Sequence, residues 1–447
     1  MTMAKSVSAE CETVIENNLR TFSNCSPQDA ASKFSSTACS IMSNSDDDGG
    51  QDFDSGSDSV STTSTVEYTQ ESFTTYSERV RNLLSALYGE GCAASATISR
   101  RTGGSFNRII GVHLPSANDA TEDLILRIPR FDNIDVGRDI VQQSGVLCGL
   151  RPFLPVPEVV RLDASSHNPL GRAYMIMRRI PGETLSSILD GLSLSERCGI
   201  AVQVARLISA IHSVPVPQAV GSLSVDEGGR LTVARITRHD EGLDTATLDS
   251  KSPPKFIRDF ISVRTSEIRD WSARRWPGVK FIPGLCDKLH EASEKLLKDV
   301  TFSERNVLFH RDLAARNLIV HREAPDAQWK ITGVLDWDDA DVGPLELASI
   351  WPDWLWAHED QSSSEFYVFE RDPDKPVHDD NCGRIRAAFI AEMERLDAGY
   401  VDRVRLTRDT KLQTLYVRAR DGFHDSQHMH EINDLHNQLQ VDDLPPS

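Results

Sequence analysis

Nowhere in the 447 residues does an apolar run approach the roughly 18 positions that a membrane-spanning helix requires, because Arg, Glu or Pro breaks the longest candidates. A soluble protein with no membrane partner is expected. The eight cysteines (11, 25, 39, 92, 148, 198, 286 and 382) include no C-x-x-C pair, which removes the zinc-ribbon and disulfide-frame readings and suits reduced thiols. The N-terminus carries no signal-type apolar stretch, and Glu10, Glu12 and Glu16 do not fit an organelle transit peptide, so the expected location is cytoplasmic. Basic residues are in deficit. Lys and Arg number 48 against 67 Asp and Glu, a net charge of −19, whereas binding a phosphate backbone needs a basic surface, so nucleic acid is not an expected partner.

Hydrophobic residues make up 39% of the chain, low for a fully packed globule. Residues 1–75, with twelve acidic side chains against three basic ones and a Ser/Thr/Asp/Gly-rich stretch from Ser40, read as a disordered acidic tail. Order is expected from about Ser77, a candidate cap for the helical pattern SERVRNLLSALYG. Runs at 108–114 and 124–128 read as strands, 138–149 as a short helix, and LPVPEVVRL and AYMIMRRI as further strands. Residues 195–212 form an amphipathic helix stopped by Pro215 and Pro217. Beyond it the pattern is mainly helical, interrupted by three short strand-like pieces, LFH, NLIVH and ITGVLDW. The expected division is a tail at 1–75, a small lobe at 76–180, a larger helical lobe at 181–425 and a C-terminal tail at 426–447.

The strongest chemical signal is LFHRDLAARNLIVH at 308–321 followed by ITGVLDWDDADVGP at 331–344. Asp312 and Asn317 stand five positions apart between two apolar runs, and Asp336 follows nineteen residues later at the end of another. Phosphoryl transfer needs such oxygen donors: one carboxylate to orient and deprotonate an attacking hydroxyl, and a second carboxylate with an amide oxygen to hold magnesium against the phosphates. Asp312 is the candidate base, and Asn317 with Asp336 the candidate metal ligands. Asp and Asn also form turns, but three of them at these spacings, each beside an apolar strand, favour the chemical role.

These segments resemble the aminoglycoside phosphotransferase family, related to choline kinases, in having His310, Asp312 and Asn317 in the order H-x-D-x-x-x-x-N and Asp336–Trp337 at the end of a strand. HRDLAARN is equally the catalytic loop of many protein tyrosine kinases. A protein kinase, however, should continue with Asp-Phe-Gly and an Ala-Pro-Glu segment, and this chain continues with Asp336, Trp337, Asp338 and GPLELASIWPDWLW. The resemblance implies an α+β, protein-kinase-like two-lobed fold with a small antiparallel-sheet N-lobe and a mainly helical C-lobe. It further implies that Gly103, Gly104 and Ser105 form a nucleotide loop and that Arg127 stands where relatives carry a phosphate-binding lysine. The Arg178 carbonyl and Ile180 amide would hold the adenine edge, with Met177 near the ring. Two departures stand out. Arginine replaces lysine at 127, and the helix position that should pair with it reads Gln143 where Glu is usual, leaving Asp139 as a substitute.

The expected activity is transfer of the γ-phosphate of ATP, with Mg2+, to a hydroxyl of a small-molecule acceptor. A nucleotide-binding pseudokinase acting through partners is the alternative suggested by Arg127 and Gln143, and a protein kinase is a third. His212 and the tryptophans at 351, 354 and 356 are expected to be structural.

Overall fold

The computed structural model describes residues 72–101, 106–115, 121–130, 136–234, 253–275, 281–297, 303, 305–357, 372–409, 411–421 and 426–441. The expected acidic tail, apart from its last residues, and the Gly103–Gly104–Ser105 loop lie outside them.

The small lobe opens with α1 (Phe73–Tyr88) and α2 (Glu90–Ser95) and continues through β1 (Thr97–Arg100), β2 (Asn107–Pro115), β3 (Thr121–Pro129), α3 (Val136–Leu150), β4 (Val159–Asp163) and β5 (Tyr174–Arg178). The first helix starts a turn earlier than its sequence suggests. Ser72 is the cap, accepting from the Thr75 amide at 3.3 Å, whereas the Ser77 hydroxyl bonds back to the Thr74 carbonyl inside the helix. The strands form one antiparallel sheet in the order β1-β2-β3-β5-β4. On β3 the pleat separates two faces. Leu124, Leu126 and Ile128 pack with Val80, Leu83 and Leu84 of α1, while Ile125 packs into the central core, so Arg127 shares its cleft-side face. Burying each of these leucines or isoleucines stabilises the lobe by about 1.5–3 kcal/mol.

The larger lobe follows with β6 (Glu183–Thr184), α4 (Leu185–Ile188), α5 (Leu194–His212), β7 (Gly221–Val225), β8 (Leu231–Ala234), α6 (Pro253–Arg275) and α7 (Phe281–Leu296). Then come β9 (Asn306–Phe309), β10 (Leu318–His321), β11 (Lys330–Val334), β12 (Asp341–Pro344), α8 (Leu345–Ala348), α9 (Asp380–Leu396), α10 (Tyr400–Asp409), α11 (Leu412–Asp421) and α12 (Ser426–Val441). The amphipathic helix at α5 starts from a capping box in which Ser193 and Glu196 satisfy each other's backbone amides. A five-stranded antiparallel sheet with three helices, followed by a mainly helical lobe that holds two smaller sheets, makes this the α+β two-lobed kinase-like fold.

Two features differ from the sequence reading. The stretch after α5 contains a hairpin, β7–β8, closed by Asp226, Gly228 and Gly229, which joins β12 and β9 in a four-stranded sheet ordered β8-β7-β12-β9. Residues 426–441, read as the start of a tail, form α12, whose Ile432 and Leu435 are buried with Leu285 and Leu289 of α7. Apolar positions at helical spacing between polar ones (Ile432, Leu435) produce that packing.

The hairpin also touches the small lobe. A Cβ on Gly145 of α3 would lie 2.5 Å from Val225, and one on Gly149 would lie 2.6 Å from Leu231, so these two glycines let the helix and hairpin approach. Gln142 donates to the Ser224 hydroxyl at 2.9 Å beside them.

Candidate active site

All four residues of β9 are buried, and the chain leaves that strand at His310. The His310 ring accepts the Asp312 amide at Nδ1 (3.1 Å) and meets the Leu335 carbonyl at Nε2 (2.8 Å). An amide can only donate and a carbonyl only accept, so the ring carries its proton on Nε2. Burial pushes its pKa below the usual histidine range, keeping it neutral. Trp337 explains the Asp-Trp pair: its indole donates to the Val334 carbonyl at 3.1 Å, and its ring meets His310 edge-on with centroids 4.8 Å apart. The histidine thus fastens the loop that carries Asp312 to the strand end that carries Asp336.

Asp312 and Asn317 are brought together by a 3-10 turn at 315–317. The Asn317 amide nitrogen donates to both the Asp312 carbonyl and its Oδ2, each at 2.8 Å. Both amide hydrogens are thereby committed, and the atom left to coordinate is the side-chain carbonyl oxygen. The Leu335 amide donates to the Asn317 carbonyl at 2.8 Å, a second tie to the Asp336 strand. Arg316 donates through Nη2 to both Asp312 oxygens at 2.7 and 2.9 Å. The indole of Trp354 donates to the Leu313 carbonyl at 3.1 Å, while Trp351 and Trp356 pack around Phe389 as structural rings. Arg316 and Trp354 carry no site role in the sequence reading; the four-residue step from Asp312 to Arg316 is the signal that could have pointed to the first.

Asp336 adopts a left-handed backbone conformation with φ 65°, a region that Asp tolerates better than most non-glycine residues. Its side chain opens to solvent, yet surrounding atoms crowd it enough to push its carboxyl up to about 6. Asp338 reinforces that rise and Arg127 opposes it. Arg127 projects from β3 and pairs with Asp338. No hydrogen bond joins it to Gln143, the expected partner, which is half-buried on α3. Among the hinge residues, Met177 is buried in the central core, and the Arg178 side chain turns outward to Glu122 and Glu158. The Ile180 side chain packs over Gly333, and no backbone bond engages the Ile180 amide among the described residues.

Beneath the site, Asp341 is completely buried. It lies 2.8 Å from Arg420 Nε and 3.6 Å from Arg311 Nε, and it accepts from the Tyr416 and Ser222 hydroxyls at 3.2 Å each. One carboxylate therefore joins the catalytic loop through Arg311 to the hairpin and to α11. His212 is buried against the Ala348 carbonyl, consistent with a structural role.

The donor set suits a hard divalent cation held with substrate phosphates. Asp336 and the Asn317 side chain offer oxygen donors of the kind such a cation takes, and no cluster of three His, Cys, Asp or Glu side chains among the described residues would hold a metal by itself. Arg127 Nε is buried without a partner among the described residues, which fits an anion still to be bound.

The model of the phosphotransferase enzyme family (APH) matches residues 116–363, more than half of the chain and the whole of this loop-and-strand arrangement. A subtelomeric hrmA-associated cluster protein of Aspergillus fumigatus is 31% identical over 122 residues, covering 27% of this chain and 20% of that protein. Clavilactone A biosynthesis cluster protein Y of Ampulloclitocybe clavipes is 24% identical over 265 residues, 56% of this chain and 59% of that one. The chain thus spans about a fifth of the first relative's length and 59% of the second's. Among solved structures, a thermostable mutant of aminoglycoside phosphotransferase APH(4)-Ia, in ternary complex with AMP-PNP and hygromycin B, is 16% identical with a TM-score of 0.47, over 80% of this chain and 98% of that one. With Asp312, Asn317 and Asp336 all inside the matched span, the chain belongs to the phosphotransferase enzyme family.

Proposed function

We propose that the protein is an ATP- and Mg2+-dependent kinase that phosphorylates a hydroxyl of a small molecule. The observation that carries this reading is the Asp312–Asn317 unit, fastened through His310 and Leu335 to the strand end bearing Asp336, on the turn whose Asp338 pairs with Arg127. Asp312 would accept the acceptor's proton. Its carboxylate is held by Asn317 and Arg316, so its orientation is set before the acceptor arrives. Asn317, through its free carbonyl oxygen, and Asp336 would hold magnesium, which when bound screens the phosphate charge. Arg127 would bind phosphate oxygens, and the Gly103–Gly104–Ser105 loop would cover them. The Arg178 carbonyl and Ile180 amide would pair with adenine, and Gln143 would line the small-lobe side as a neutral neighbour.

The test is a thermal-shift titration of the purified chain with AMP-PNP, with and without magnesium. A ligand that binds only the native state raises the melting temperature, by an amount equivalent to about 2.7 kcal/mol at one hundred times Kd. A magnesium-dependent rise that disappears in Asp336→Ala is expected, together with ATP turnover that disappears in Asp312→Ala. Turnover unchanged in Asp312→Ala would remove that residue from the chemistry.

A further inference from the structure

Arg127 and Asp338 are 211 positions apart, yet guanidinium and carboxylate bond directly between the two lobes. Arg127 is only 8% exposed, and its bond to Asp338 runs through Nη2. Its Nε is buried and unsatisfied among the described residues. A guanidinium offers five N–H donors in a rigid fork, so one carboxylate oxygen leaves this fork only part-used. Leaving a buried N–H unpaired is unfavourable, and a phosphate, with several acceptor oxygens, would satisfy more of it than Asp338 does. Asp338 itself stands two residues beyond Asp336, within the run Asp336, Asp338, Asp339 on the same turn.

On the reading that Arg127 binds phosphate and Asp336 binds magnesium, we propose that Asp338 is a specificity-determining residue: it holds Arg127 as a stand-in for nucleotide phosphate and so admits the magnesium-bound nucleotide while rejecting the metal-free form. A metal-free nucleotide that engages the whole Arg127 fork takes it away from Asp338. Doing so leaves that carboxylate without its partner two residues from Asp336, so the incoming negative charge meets both, whereas Asp339 lies 3.6 Å from Arg420. A magnesium-bound nucleotide brings two positive charges to the same turn, compensating the released carboxylate while Arg127 moves to the phosphate. The device works only because a single arginine serves both anions in turn.

A purely structural tie between the lobes makes a different prediction, since breaking it would lower stability and leave the metal dependence of binding alone. The experiment is a calorimetric measurement of AMP-PNP affinity for the whole chain, in excess magnesium and in excess chelator, for wild type, Asp338→Asn, Asp338→Ala, Arg127→Met and the Arg127→Met/Asp338→Asn double variant. The ratio of the two dissociation constants should narrow at least tenfold in both Asp338 variants, about 1.4 kcal/mol, through tighter metal-free binding. In the Arg127→Met background, where no arginine has to be released, Asp338→Asn should narrow the ratio by a clearly smaller factor. A ratio unaltered in Asp338→Asn and Asp338→Ala overturns this inference alone, and so does an equally large narrowing without Arg127. Failure of the wild type to bind the nucleotide in either condition overturns the kinase reading along with it.

Discussion

His310 holds Asp312 by its main chain: the Asp312 amide donates to Nδ1 at 3.1 Å while the opposite ring nitrogen bonds the Leu335 carbonyl at 2.8 Å. One neutral, buried ring thereby sets the spacing between the candidate base and the candidate metal strand. His310→Ala should cost about 3 kcal/mol of stability, from two lost bonds and a cavity beside Trp337. Chemical denaturation would measure this, and an unchanged midpoint would show that the loop and strand hold their places without the ring.

His212 gives the protein a pH dependence whose sign follows from burial. Its folded-state pKa is pushed down to about 4 from the ordinary 6.5, chiefly because burial disfavours the cation. The unfolded chain therefore takes up a proton below about 6.5 that the folded chain refuses, and this group's contribution is intact above that value and declines toward pH 4. The slope is about 1.4 kcal/mol per pH unit from this one residue. Urea midpoints measured between neutrality and pH 5 should fall more steeply for wild type than for His212→Gln, and parallel curves would assign the acid sensitivity elsewhere.

Asp336 works in the opposite sense. Its pKa is raised from 3.8 to about 6 by crowding and by Asp338, so the ionised carboxylate costs the folded state stability as pH rises through about 6. Replacing it by Asn, which also tolerates the left-handed backbone, should raise stability near neutral pH by about 1 kcal/mol once solvent screening is allowed for. The gain should vanish below about pH 4, where the carboxyl is protonated in both states. Such a gain, coupled to loss of the magnesium-dependent thermal shift, would mark a residue retained for chemistry at the expense of stability.

Trp354 supports the loop from the larger lobe through the Leu313 carbonyl. Trp354→Phe keeps most of the ring and removes that bond, worth about 1 kcal/mol. ATP turnover should fall about fivefold while magnesium–nucleotide affinity holds, since no nucleotide-binding candidate touches this ring. A change in affinity alone would place Trp354 on the nucleotide side.

The grouping of Asp312, Asn317 and Asp336 was readable because these residues are close in sequence. Asp312 and Asn317 share one turn, and Asp336 ends a strand whose apolar pattern is local. The long-range pairings were not readable. Nothing at Arg127 or Asp338 announces that they meet across 211 positions, and the helix partner expected at Gln143 came from position in the chain and not from contact. The β7–β8 hairpin carries a usable signal, Leu-Ser-Val and Leu-Thr-Val around Asp-Glu-Gly-Gly, but its brevity let the surrounding helical pattern dominate. β12, four residues including Gly343 and Pro344, has no strand-like composition and exists because β7 and β9 flank it. The burial of Asp341 likewise depends on Arg420 and Tyr416, which arrive from an element formed about eighty residues later.

Gly145 and Gly149 let α3 press onto a hairpin whose sheet also contains β9, which leads to Asp312, and β12, which follows Asp336. Swinging α3 outward would pull Val225 and Leu231 out of the hollows those glycines leave and break the Gln142–Ser224 bond. The helix, the hairpin and the two strands beside it are therefore packed as one unit, and rotating α3 alone would have to break that packing.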